Sequence, residues 1–172
     1  MPIIKNKDQR IAVFIDVQNL YYTARHLYSS KVNFGAILKE VISGRKLIRA
    51  MAYVVKAQIP EEKAFFEALS KSGFEVKTKE LQIFADGTKK GDWDVGLAMD
   101  IIKMAPALDS VVLVSGDGDY VPLVEYLQNH GKLVEVAAFG RSSSQNLVSK
   151  VDDFLDLDSI KQKVLLKYSR KK

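Results

Sequence analysis

Cysteine is absent from this 172-residue chain, which excludes disulfides, thiolate zinc sites and a cysteine nucleophile. Histidine is almost absent: His26 and His130 are the only two, both in segments of helical pattern, which argues against a His-rich zinc centre. No apolar run approaches the ~18–20 residues that a membrane-spanning helix needs. The opening "MPIIKNKDQR" has charges but neither the apolar stretch nor the small-residue cleavage site of a secretory signal. Glycine fingerprints of nucleotide binding are missing, with no P-loop and no G-x-G-x-x-G, and there is no G-x-S-x-G elbow. Internal repeats, low-complexity tracts and a convincing linker are missing too. The simplest expectation is a soluble, cytoplasmic protein without a membrane partner, although a lack of cysteine fits any compartment. At 47% hydrophobic it has enough apolar residues for one well-buried core and is short for two.

The net charge of +5 is unevenly placed. Residues 159–172, "SIKQKVLLKYSRKK", hold Lys161, Lys163, Lys167, Arg170, Lys171 and Lys172 and no acid, which leaves the body close to neutral. A basic tail holds phosphates by charge alone, and a solvated terminus reads equally well. Its Ile160, Val164, Leu165 and Tyr168 recur as an apolar helical stripe, suited to docking on the body or on a second chain, so a homodimer is compatible with the pattern.

Continuous apolar runs at 11–15 ("IAVFI"), 47–55 ("LIRAMAYVV"), 110–115 ("SVVLVS") and 133–139 ("LVEVAAF") predict strands covered on both faces. "FEVKTKELQIF" at 74–84 alternates at first and predicts a strand with one wetter face. Between them lie helical patterns: "VQNLYYTARHLY", a segment capped by Asn33 and stopped at Ser43-Gly44, one opened by Pro60 and ended at Gly73, "DVGLAMDIIKMA", and "YVPLVEYLQN" stopped at Gly131. "SSSQNLVSKVDDFL" begins with good N-caps and predicts a short helix. Strands alternating with helices give an α/β class: a three-layer α/β/α single domain with a mainly parallel sheet of about five strands.

In open parallel sheets ligands bind beyond the carboxyl ends of the strands, where strand order reverses. Asp16 is the first residue after "IAVFI", and Ser115, Asp117 and Asp119 follow "SVVLV". "GDWDVGLAMD" adds Asp92, Asp94 and Asp100. Asp94 sits near a helix start, where the dipole tolerates an anion. Asp100, six residues or about 600° further round, does not share its face. Each acid taken singly has an ordinary use as a helix cap. Several from separate segments at one sheet edge raise one another's pKa unless a cation neutralises them. Hard oxygen donors of this kind suit Mg²⁺ or Mn²⁺.

"FIDVQNL", "KKGDWDVGLAMD" and "LVSGDGDYVPLV", in this order and at these spacings, resemble the NYN domain of the PIN-like superfamily of metal-dependent ribonucleases, and within it the bacterial LabA-like branch. The likeness covers residues 10–155, leaving 156–172 as a basic helical tail. It implies a PIN-like parallel sheet and an acidic Mg²⁺- or Mn²⁺-binding centre that cleaves RNA phosphodiesters, as an endoribonuclease before an exonuclease. By position, Asp16 and Asn19 match the first motif, Asp94 and Asp100 the second, and Ser115, Asp117 and Asp119 the third. "SSSQNL", with Ser144 and Asn146, lies where the family places a further polar loop. Gln18 stands where a small or acidic residue is often found, and Trp93 is a bulky neighbour for Asp94.

On this reading Asp16, Asp94 and Asp117, with Asp119 directly or through water, hold one or two metal ions, Asp100 being a weaker candidate. Asn19 and Ser115 orient water, phosphate or a neighbouring carboxylate. Lys89 and Lys90 flank the site as phosphate contacts, with Lys77 and Lys79 and the tail extending the track. Tyr21, Tyr22, Trp93 and Tyr120 are candidates for stacking on the bases of single-stranded RNA, although aromatics at helical spacing are more often core. Two alternatives stand beside the ribonuclease: a non-catalytic PIN-like module that binds RNA or protein, and a phosphatase of the haloacid dehalogenase type. The phosphatase is the weaker, because it needs a second Asp where this chain has Gln18.

Overall fold

All five side chains of Ile11–Ile15 are fully buried, which a strand achieves only with packed layers on both faces. A computed structural model, describing residues 3–90 and 92–166, shows how those layers are supplied. β1 (Arg10–Asp16) leads into α1 (Val17–Tyr28), capped by the Asp16 carboxylate, which accepts from Asn19 N at 3.2 Å. A two-residue strand β2 (Lys31–Val32) precedes α2 (Phe34–Ile42), where the Asn33 side chain accepts from Ala36 N as the cap expected from sequence. β3 (Lys46–Lys56), α3 (Glu62–Lys71) and β4 (Glu75–Glu80) follow, then a hairpin of β5 (Gln82–Ile83) and β6 (Lys89–Lys90). α4 (Asp94–Met104), β7 (Ser110–Val114), α5 (Val121–Asn129), β8 (Leu133–Ala138) and α6 (Gln145–Lys150) complete the α/β alternation.

Six strands form the main sheet in the order β4-β3-β1-β7-β8-β9, every neighbour parallel. α1, α2 and α3 bury Leu20, Ala24, Ile37, Leu38, Val41 and Leu69 against one face. α4, α5 and α6 bury Leu97, Ile101, Leu123, Val124, Leu127 and Leu147 against the other. This is the expected three-layer α/β/α sandwich in one domain. From β1 the chain winds outward through β3 to β4, then returns to β7 and winds the other way, so strand order reverses between β1 and β7.

The sixth strand was not expected. β9 (Asp153–Asp156) occupies "DFLD", where the helix predicted from "SSSQNLVSKVDDFL" stops at Lys150 instead. Its four residues carry two acids and no alternation. They become a strand because β8 offers an open edge, a tertiary cause that local pattern does not contain. The helical stripe of the tail is also shorter than its periodicity suggests. Among the described residues of the tail the α-helical part is α7 (Lys161–Val164), after a 3-10 turn at Leu157–Ile160, and β10 (Leu165–Leu166) pairs antiparallel with β2. Val164 is fully buried, and Ile160 and Leu165 pack on the core, so the stripe docks on the body as one of its two expected uses. Tyr168 and the basic residues from Lys167 on lie outside the described residues.

Toward the amino ends of the strands, Arg45, with a fully buried side chain, donates to both Glu135 oxygens at 2.7 and 2.9 Å, and to Val41 O, Ile42 O and Gln9 Oε1. Ser110 Oγ donates to the same Glu135 carboxylate. The pair ties the end of α2 to β8 beneath β1 and β7.

Candidate metal centre

The reversal point between β1 and β7 carries the acids. Asp16 closes β1, and the "SGDGD" loop leaves β7 directly beside it. Ser115 is fully buried; its hydroxyl donates to Asp16 Oδ2 at 3.4 Å and accepts from Asp117 N at 3.3 Å. Asn19, one turn into α1, accepts from Gly116 N through Oδ1 at 3.2 Å. Asp117 caps the turn Gly118–Tyr120 by accepting from Asp119 N at 2.9 Å. The loop is therefore fixed by side chains of the site itself.

Gly116 and Gly118 are required by a close approach. A Cβ on Gly116 would lie 2.7 Å from Ser143 Oγ, and one on Gly118 would lie 2.7 Å from Ser144 Oγ. Ser144 N donates to Gly116 O at 2.9 Å, and Ser144 caps α6 by accepting from Leu147 N. The "SSSQNL" segment thus lies against the acidic loop, with Ser144 half-buried in that contact and Asn146 exposed on α6.

Asp94 enters from the opposite layer, at the start of α4. Tyr120, almost wholly buried, donates its hydroxyl to Asp94 Oδ1 at 3.0 Å. Sequence reasoning treated Tyr120 as a base-stacking candidate and missed this anchoring role. Its place in the first turn after "SGDGD" was the available signal. One carboxylate oxygen each from Asp94, Asp117 and Asp119 lie within 4.8 Å of one another. Among the described residues no lysine or arginine forms an ion pair with these three or with Asp16.

The electrostatic consequence falls on the carboxyls of the site. Burial, and after it the nearby Asp94 and Asp117 charges, push the Asp16 carboxyl up to about 6, against the opposing hydrogen bonds from Asn19 N and Ser115. Asp94 is raised too, by burial first and then by Asp117, Asp92 and Asp119, with the Tyr120 bond opposing. Burial, followed by the Asp16 and Asp94 charges, raises Tyr120 and keeps it a donor.

A folded pKa above the unfolded one means that Asp16 favours folding only while protonated. That contribution is present below about pH 4 and is lost as pH rises through about 6, a swing of roughly 3 kcal/mol. Asp16→Asn keeps a competent helix cap and removes the charge. In EDTA at pH 8 this variant is expected to melt several degrees above wild type, with the gap narrowing as pH falls toward 5. Thermal scans across that range check it, and equal melting at pH 8 would mean that the charge is not held at a cost.

Other sequence-derived candidates lie elsewhere. Asp100 accepts from Tyr53 OH at 2.8 Å and pairs with Lys77 Nζ at 2.7 Å. Burial pushes its carboxyl up, but Lys77 and Tyr53 outweigh this and hold it below the usual carboxylate range. It is outside the cluster, as its position round α4 requires. Lys77 is thereby engaged, and Lys79 donates to Asp92 O at 3.0 Å and lies over the Trp93 ring, so neither extends a free phosphate track. Trp93 is a packing residue: its Nε1 donates to Val54 O, its ring meets Tyr53 edge-on at 5.5 Å, and it fills the space beside Gly96. Lys89 and Lys90 form β6 beside the start of α4. Of the four aromatics proposed for stacking, only Tyr21 and Tyr22 are exposed.

Comparison with known proteins agrees with the fold. The NYN domain profile matches residues 10–158. The low amplitude and bright protein LabA of Synechococcus elongatus is 25% identical over 166 residues, covering 90% of this chain and 87% of its own. A crystal structure of a protein of unknown function from Vibrio parahaemolyticus superposes with a TM-score of 0.85 at 37% identity, over 95% of this chain and all of that one. Among the described residues no helix is long and apolar enough to cross a membrane.

Proposed function

Because this chain belongs to the NYN domain family, a PIN-like nuclease family, and carries a cluster of unneutralised acids at its strand reversal, we propose that it is a divalent-metal-dependent ribonuclease. One observation supports this above the rest: three carboxylate oxygens within 4.8 Å of one another, with no cationic side chain paired to them among the described residues. All-oxygen donors with room for water fit Mg²⁺ or Mn²⁺ better than softer metals. Asp94, Asp117 and Asp119 would hold the ion. When bound, it supplies an acidified water and neutralises charge on the phosphoryl oxygens.

The chain's own groups have separable tasks. Tyr120 fixes the rotamer of Asp94, and the Asp119 amide fixes that of Asp117, so two of the three donors are held before any ligand arrives. Asp16 accepts from Asn19 N and Ser115 Oγ and adds a fourth carboxylate beside the three donors. Asn19 spends its Oδ1 on Gly116 N, which leaves its amide NH₂ to donate to a phosphate oxygen. Ser144, which lies against the acidic loop, and Asn146, exposed on α6, are the proposed substrate contacts.

The test is incubation with labelled single-stranded RNA and the matching DNA in Mg²⁺, Mn²⁺ or EDTA. The expected result is internal cleavage of RNA in either metal and none in EDTA. RNA bound but left intact in every condition would instead favour a non-catalytic binding module.

A further inference from the structure

We infer that the exposed flank of α1, together with Arg141 and Lys161, is the surface that holds the single-stranded RNA beyond the cleaved bond. The inference deepens the ribonuclease reading and rests on it. α1 begins at the acidic centre, because Asp16 is its N-cap. Gln18, Tyr21 and Tyr22, and Arg25 recur at i, i+3, i+4 and i+7 and so share one side of the helix. Tyr21 and Tyr22 are 39% and 58% exposed, with ring centroids 5.5 Å apart in an edge-on pair. Burying aromatics is the ordinary outcome in this fold, as Tyr53, Tyr120 and Phe139 show. Phe84 and Tyr126 are exposed too, but singly; Tyr21 and Tyr22 are an adjacent exposed pair, on the helix that starts at the centre.

The far end of the same helix is basic. Tyr28, seven residues after Tyr21, packs on Phe139 at the end of β8, and the Arg141 guanidinium lies 5.0 Å and the Lys161 ammonium 5.7 Å from its ring. Tyr28 OH donates to Asp158, which also accepts from Arg141 N at 3.0 Å and lies 3.7 Å from Arg141 Nε. That carboxylate locks the loop while the Arg141 side chain stays 60% exposed. Asp156 is spent on the amides of Gly140 and Asp158. With Arg25, three cations border a surface on which Asp158 is the facing acid. From Asp16 to Tyr28 the helix is about 18 Å long, room for a few nucleotides. Unpaired bases stack on exposed tyrosines whatever their identity, and arginine and lysine hold the intervening phosphates. A protein partner would be met by the tyrosines but has no general need of cations lying beyond them on a helix that begins at an acidic centre.

The test is fluorescence anisotropy with a labelled 12-nucleotide single-stranded RNA in EDTA, where no cleavage intervenes. Tyr21→Ala/Tyr22→Ala is expected to weaken binding at least about tenfold with an unchanged salt slope. Arg141→Gln should weaken it and reduce the slope of log K against log[salt] by about 0.7, the loss of one phosphate contact, while Arg141→Lys keeps the slope. Lys46→Ala, at the amino end of β3, should match wild type. Absence of RNA binding by wild type, equal binding by all variants, or a change of oligomeric state in place of affinity would each overturn the inference. If the affinity shifts appear but the protein cleaves no RNA in metal, this surface stands and the nuclease reading falls. Cleavage with unshifted affinities gives the reverse.

Discussion

Asp117→Asn, and separately Asp94→Asn, should lower metal-dependent RNA cleavage by on the order of a thousandfold without loss of fold. Each change removes one charge from a set of three oxygens within 4.8 Å. Charge stabilisation by a bound ion is worth several kcal/mol, and each 1.36 kcal/mol is tenfold in rate. Asn preserves shape in both places. At 117 the amide oxygen can still accept from Asp119 N, so the loop keeps its turn. At 94 it can still accept from Tyr120 OH. Because like charges crowd here, neither substitution should lower the melting temperature of metal-free protein. Initial rates across a Mn²⁺ titration, beside thermal scans, provide the check. Rates within threefold of wild type would assign the cleavage to another site or another protein.

Arg45→Ala is expected to destabilise the fold by about 3–5 kcal/mol, because it strands a buried carboxylate. Glu135 would retain Ser110 Oγ, and Lys5 at 3.7 Å, but lose a bidentate partner in a place that water scarcely reaches. For a chain of this size that corresponds to a melting temperature roughly 10 °C or more lower. The double change Arg45→Met/Glu135→Leu should cost less than Arg45→Ala alone, since two apolar side chains need no solvation. Chemical denaturation of the three proteins decides. A double variant worse than the single would mean that the pair contributes shape or register beyond its charges. The contrast with the other edge is informative. There the protein matches the buried Glu135 with a buried arginine. At the strand reversal it leaves four acids without one among the described residues.

The β-rich runs, the caps at Asp16 and Asn33 and the stop at Gly131 are local features, so the alternation that builds the sheet could be read from residue type and spacing. That the strands before Asp16 and Asp117 be neighbours is the condition for these acids to converge, and the strand order meets it. β9 could not be read in this way: "DFLD" has no strand pattern and takes its conformation from the free edge of β8. For the same reason the tail's periodicity overstated its helix, since β10 is set by β2, more than a hundred residues away in sequence. The placing of Asp16, Asn19, Ser115, Asp117 and Asp119 at one sheet edge was legible because each lies at the end of a buried strand or within a few residues after it. Asp100 was a matter of angle, and its partners Tyr53 and Lys77 come from other strands. The anchoring of Asp94 by Tyr120, and the serines lying on Gly116 and Gly118, depend on which loops meet, and no single segment records that.

The central claim, that the carboxylates at the strand reversal form a divalent-cation centre, is tested most directly by Mn²⁺ binding, followed by electron paramagnetic resonance on wild type, Asp94→Asn, Asp117→Asn and Asp100→Asn. Saturable binding in wild type, weakened at least tenfold in the first two variants and unchanged in Asp100→Asn, is the predicted result. Loss of binding in Asp100→Asn equal to that in the others, or the same Mn²⁺ affinity in all four proteins, would contradict it.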